Sequence, residues 1–232
     1  PHKMPFSINL AGTTLTSIQE ESGFFYRRQG NTGEQEKFIA TGEVTLSFGP
    51  VEPVHFPAKI SNHLLIDFKQ PLAIEAGATK IIYLTFPVEI GCFIEKPRKG
   101  NILIDVFTYA QHKYILYGRI KDGIICKYWN SAAHVNFPII NPLVEGILKL
   151  SVNNSTKRWV EISQAVFSAY GMQIYYNNKF VAMNGLMKVT SETKAETTFI
   201  AQPQNKGMKK ALAQIAPKPL NLQGKMLMEE GY

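Results

Sequence analysis

The chain has 232 residues, of which 45% are hydrophobic and 19% charged, so it is long enough to bury the core of one large or two modest domains. No run approaches the roughly 20 consecutive apolar residues of a transmembrane helix, and residues 1–10 lack the layout of a signal peptide. The net charge is +7, and residues 93–232 contain 18 of the 25 lysines and arginines, but no Arg-rich cluster or nucleic-acid reader motif accompanies them.

Short apolar runs in the first hundred residues, separated by glycines and prolines, predict antiparallel strands rather than βαβ units. The predicted strands are 6–10, 13–18, 24–28, 43–48, 64–68, 72–75 and 80–86. The strand, glycine turn and strand of residues 71–86 are typical of immunoglobulin-like sandwiches. We therefore expect residues 1–136 to form an N-terminal β-sandwich.

The clearest predicted hairpin spans residues 113–129, because Asp122-Gly123 suits a type I′ turn. With those two residues as the loop, Tyr117 faces Tyr128. Alternation then separates a predicted core face from a predicted exposed, basic and aromatic face. The core face carries Tyr114, Leu116, Ile125 and Trp129, with Lys127 as its one charge, and the exposed face carries Lys113, Tyr117, Arg119 and Tyr128.

Beyond the prolines at 138 and 142, alternating segments predict a smaller β unit over residues 143–200, packed on the first. Residues 205–215 are predicted as a short helix, since Met208, Ala211, Leu212 and Ile215 follow helical spacing. The lysines near its start oppose the helix dipole, which weakens this prediction. Helix and tail together make up residues 205–232.

Motifs for known chemistry are missing from the sequence. It contains no glycine-rich phosphate loop and no Gly-x-Ser-x-Gly elbow, its five histidines are scattered, and Cys92 and Cys126 cannot build a four-cysteine site. We therefore expect no metal and no cofactor. Two cysteines in apolar runs, without a disulfide framework, favour a cytoplasmic protein.

Three carboxylates in apolar contexts, Asp105, Glu89 and Glu161, are the catalytic candidates. Paired in a cleft they could serve a hydrolase or sugar-processing enzyme, because burial raises a carboxyl pKa. A buried structural pair of Asp105 with Lys113 or Arg119 is the favoured alternative, since ion-pair networks also perturb pKa values.

Several segments resemble an uncharacterised archaeal protein family known only as a domain of unknown function. The similarity covers about residues 6–200 and implies an archaeal cytoplasmic protein, with no activity or catalytic residue to carry over. The segments that carry it are residues 86–91, 104–107, 113–114, 116–118, 123–129, 159–161 and 169–172.

The sequence favours a non-catalytic binding or assembly protein over an enzyme. Its predicted contact residues are Lys113, Tyr117, Arg119 and Tyr128, because tyrosine and arginine are enriched at interfaces. The predicted partner is a protein or a second copy of the chain. A hydrolase with paired carboxylates is the first alternative, and binding to nucleic acid or an anionic surface is the second.

Overall fold

The structure is a computed structural model that describes residues 1–42, 44–95, 100–215 and 224–232. Nineteen strands and one 3₁₀ turn, Ala169–Gly171, make up its regular secondary structure. The strands are β1 (His2–Lys3), β2 (Phe6–Leu10), β3 (Thr13–Glu20), β4 (Gly23–Gly30), β5 (Gln35–Ile39), β6 (Thr45–Val51), β7 (His63–Ile74), β8 (Thr79–Pro87), β9 (Glu89–Ile94), β10 (Ile102–Phe107), β11 (Lys113–Tyr117), β12 (Ile124–Ser131), β13 (Glu145–Asn154), β14 (Val160–Ser168), β15 (Tyr175–Tyr176), β16 (Val181–Val189), β17 (Ala195–Ile200), β18 (Lys209–Lys210) and β19 (Met226–Met228). The mostly β prediction is confirmed.

These strands form four sheets. Sheet 1 has the order β1-β6-β9-β10, and sheet 2 is the meander β2-β3-β4-β5. Sheet 3 has the order β11-β12-β7-β14, and sheet 4 runs β18-β15-β16-β13-β8 with β17 and β19 added beside β16. Sheets 1 and 2 are antiparallel throughout, whereas β12 pairs with β7 and β13 pairs with β16 in parallel. The all-antiparallel prediction was wrong for these two pairs, because turn residues mark where strands end and not which distant strand they join.

The sheets pack in layers around one hydrophobic core. Sheet 2 covers one face of sheet 1, where Tyr26 of β4 meets Asp105 of β10. Sheet 3 packs on sheet 4: Phe167 stacks on Phe199 at 4.9 Å, and the Trp129 indole N–H donates to Thr85 at 2.9 Å. The ladders of β7 with β14 and of β8 with β13 join strands of the predicted unit 1–136 to strands of the predicted unit 143–200.

The predicted helix at 205–215 is absent and that prediction was wrong. Its centre is the short strand β18, which pairs with β15, and the Ala211 N–H donates to the Ile174 carbonyl. Gly207 has φ 87°, a left-handed conformation that interrupts a helix. Pairing of this segment with β15 thus prevails over its helical spacing of apolar residues. No helix in the described part of the chain is long and apolar enough to cross a bilayer.

Three sequence predictions include residues outside the described ranges, and the predicted N-terminal unit 1–136 is one of them, because it contains 43 and 96–99. Residue 43 is also the first of the predicted strand 43–48, and β6 is described from Thr45. The predicted tail includes 216–223, which are not described either, and β19 lies in the described part of the tail, 224–232.

Candidate interaction surface and buried charge pairs

Strand β11 lies at the edge of sheet 3. Within the described ranges it pairs only with β12, so the other side of its backbone meets no strand. In the observed register Tyr128 lies opposite Lys113, whereas the predicted partner of Tyr128 was Tyr117, so the register is shifted by four residues. Residues 118–123 form the connecting loop. The predicted two-residue loop was therefore wrong. Gly118 has φ 89°, and the Gly123 N–H donates to the Arg119 carbonyl at 2.6 Å, so the turn begins earlier than Asp-Gly spacing predicts.

The shift is an even number of residues, so each side chain keeps the predicted sheet face. Leu116 and Ile125 nevertheless lie 39% and 49% exposed, and their assignment to the core was wrong. The neighbouring sheets cover the predicted core face of the hairpin only at Lys127, which is buried, and at Trp129, whose indole N–H bonds to Thr85 of β8. Leu116 and Ile125 lie nearer the turn, beyond that cover, and Ile60 is exposed in the adjoining loop, whose Ser61 hydroxyl donates to the Ile125 carbonyl.

Three of the four predicted contact residues lie at the surface or half-buried. The Lys113 ammonium lies 4.7 Å from the centre of the Tyr128 ring. The Tyr128 hydroxyl donates to Asp67 at 2.8 Å, and partial burial together with this bond raises the pKa of Tyr128. Arg119 is exposed and bonds to Asp122 at 2.9 Å.

Tyr117 is buried, and its assignment to the exposed face was wrong. Its hydroxyl donates to the Gly231 carbonyl at 2.9 Å and accepts the Glu230 N–H at 3.2 Å. Burial is the main cause of the raised pKa of Tyr117. The covering residues are more than a hundred positions away in the sequence, so no local pattern could have indicated the contact.

Asp105 is a buried structural carboxylate. The Arg28 Nε and Nη2 atoms donate to it at 2.7 and 3.2 Å, and the Tyr26 hydroxyl donates at 2.9 Å. Burial is the main cause of the raised pKa of Tyr26, and the neighbouring Cys92 and Asp105 add to it. The predicted buried pair exists, but its cation is Arg28 and not Lys113 or Arg119.

Glu89 forms a second buried pair with Lys127 at 3.2 Å. Its other oxygen accepts the backbone N–H groups of His55 and Phe56 at 2.8 and 3.0 Å. Burial raises the pKa of Glu89, and Lys127 together with the backbone donors opposes that rise. Lys127 also donates to the Phe56 carbonyl at 2.6 Å, so the pair holds one loop against two sheets.

The three candidate carboxylates do not converge. In the register of β9 with β10, Asp105 faces Cys92, so Glu89 lies on the opposite face of sheet 1. Glu161 is exposed on β14 of sheet 3. Neither buried carboxylate is free to act as an acid or base beside the other.

Glu52 is a buried carboxylate that the sequence analysis did not single out. It accepts the backbone N–H groups of Gln214 and Ile215 at 2.9 and 3.2 Å and contacts the His55 ring at 3.3 Å. Burial acts to raise the pKa of Glu52, but these hydrogen bonds prevail and lower it. The sequence analysis did not single out Arg28 either. For Lys127 the sequence held one indication of burial, since it is the only charged residue on the predicted apolar face of the hairpin.

A cleft of about 470 Å³ lies beside the Arg28–Asp105 pair, with Lys37 and His55 on its walls. The charges of Arg28 and Asp105 are directed at each other. Over the described ranges, no group of three or more His, Cys, Asp or Glu side chains is placed to hold a metal ion.

The family model described as "Protein of unknown function (DUF432)" matches residues 1–229. The chain belongs to the DUF432 family. This confirms the resemblance to a domain of unknown function and extends it to nearly the whole chain, while an archaeal origin stays a prediction of the sequence. No curated protein and no solved structure matches this DUF432 chain.

Proposed function

We propose that the protein is a non-catalytic binding or assembly protein that pairs with an extended strand of a partner along the open edge of β11. The observation that carries the proposal is this edge: a strand with no neighbour on one side within the described residues, carrying exposed apolar side chains. Unpaired N–H and C=O groups on an edge strand are a template for another chain.

The sequence of β11, Lys113–Tyr117, lacks the usual protection of an edge strand. Proteins commonly blunt such edges with several charges, a proline or a bulge. Here Lys113 is the one charge, and no bulge interrupts the ladder with β12. Ile115 and Leu116 are 37% and 39% exposed, one on each face, so a strand added here would gain apolar contact on both sides.

Two hydrogen-bonded tyrosines and one ion pair connect the hairpin to the rest of the chain. Tyr117 is bonded to the C-terminal residues, Tyr128 to Asp67, and Lys127 to Glu89. A preformed edge avoids the entropic cost of ordering a flexible segment on binding. These groups therefore support recognition by positioning β11, while the exposed part of the contact consists of Lys113, Ile115 and Leu116.

The test is a selection of extended 12-residue peptides on the immobilised chain, followed by hydrogen exchange of the β11 amides. We expect selected peptides to slow exchange at residues 113–117, and Leu116→Lys to weaken their binding about tenfold. Ile81→Lys is the matched control, because Ile81 lies in another sheet and is similarly exposed at 50%. If neither peptides nor a second copy of the chain protects the β11 amides, the proposal is refuted.

A further inference from the structure

We propose that the strand that pairs with β11 is β11 of a second copy of this chain, in an antiparallel, two-fold arrangement centred on Ile115. The inference rests on the proposed function, since it requires the open edge, and it names the partner. A two-fold contact uses the same surface patch on both copies, so β11 must be complementary to itself.

The charges on the hairpin favour this register over two alternatives. With Ile115 facing Ile115 of the second copy, Tyr114 faces Leu116, and Lys113 faces Tyr117. Moving the centre to Leu116 would place Lys113 opposite Arg119, and a parallel pair would place the two Lys113 residues side by side. Like charges directly opposite are unfavourable in a sheet, so the Ile115-centred register avoids a repulsion that both of these arrangements contain.

The second observation is an acidic residue at the position where Lys113 of the other copy would lie. The Glu230 N–H bonds to the Tyr117 hydroxyl, and the Glu230 carboxylate lies 3.6 Å from Arg119 at the end of β11. Paired residues share a sheet face, so Lys113 of one copy would meet Glu230 beside Tyr117 of the other. Within the described chain no acidic side chain lies within ion-pair distance of Lys113.

The same register joins the exposed apolar residues. Leu116 and Ile125 are paired neighbours on one face, and the two-fold places Leu116 opposite Tyr114 of the second copy and diagonal to its Leu116 on the same face. A contact built on five-residue strands is small beside the roughly 1,200–2,000 Å² of stable interfaces. The dimer should therefore dissociate on dilution.

The test is sedimentation equilibrium of the full chain over a concentration series. We expect a monomer–dimer equilibrium that Lys113→Glu weakens about tenfold, because each dimer contains the contact twice. Glu230→Lys should weaken it similarly, and the double variant should recover most of the affinity. Lys188→Glu, an exposed charge reversal in sheet 4, is the control and should change nothing.

Hydrogen exchange of the wild-type chain supplies a readout that needs no variant: protection of residues 113–117 should rise with protein concentration. A monomer at every concentration whose β11 amides are protected by peptides overturns this inference and leaves the proposed function standing. A monomer that no peptide protects overturns both. A dimer whose affinity is unchanged in Lys113→Glu and in Glu230→Lys overturns the register and with it the inference.

Discussion

The Arg28–Asp105 pair allows the sharpest prediction about stability. Asp105→Ala removes the acceptor of three hydrogen bonds and leaves the Arg28 guanidinium without a carboxylate partner, although Arg28 is only 4% exposed. Breaking a buried ion pair from one side costs about 3–5 kcal/mol, because the remaining charge is uncompensated. The unpaired Tyr26 hydroxyl places the expected loss toward the upper end of that range.

Urea denaturation followed by circular dichroism measures this loss. With a denaturant dependence of about 3 kcal/mol per molar, the midpoint should fall by about 1–1.7 M. Tyr26→Phe, which leaves the ion pair intact, should cost about 1 kcal/mol. Glu161→Ala is the control, since Glu161 is an exposed carboxylate, and its effect should stay within about 0.5 kcal/mol. A loss below about 1 kcal/mol in Asp105→Ala would refute the assignment of Asp105 as a structural anchor.

Three further predictions concern the other buried polar groups. Glu89→Ala should destabilise the chain by about 3–5 kcal/mol in urea denaturation, because it leaves the buried Lys127 ammonium without its carboxylate partner. Replacing both Glu89 and Lys127 with Met should cost much less, because no unpaired charge remains buried. The pKa of Glu52 is lowered in the folded state, so its contribution is complete above the ordinary value of 4.5 and is lost as the pH falls through the folded pKa. Stability measured from pH 7 down to pH 3 should therefore fall less steeply in Glu52→Gln than in the wild type, and equal slopes would contradict this role. Tyr117→Phe should cost about 1 kcal/mol and accelerate hydrogen exchange at residues 226–231, and unchanged exchange there would show that the hydroxyl does not hold the C-terminal segment.

The local pattern of the sequence predicted much of the secondary structure. Alternating apolar residues bounded by glycine and proline identified most of the longer strands, because side chains on a strand must point to opposite faces. The same alternation assigned the faces of the β11–β12 hairpin, and an even shift in register left those faces unchanged. It also identified Asp105 as an unusual charge in an apolar strand.

Only the tertiary structure decided which strands and charges meet. The Asp105 partner is Arg28, 77 residues away, and the cover over Tyr117 comes from the other end of the chain. Two parallel pairings and the replacement of a predicted helix by β18 are also contacts between distant segments. The alternation of residues shows which face of a strand is apolar, but burial of that face depends on how far the neighbouring sheets extend over it. Leu116 and Ile125 stay exposed because the neighbouring sheets do not extend as far as the loop of the β11–β12 hairpin.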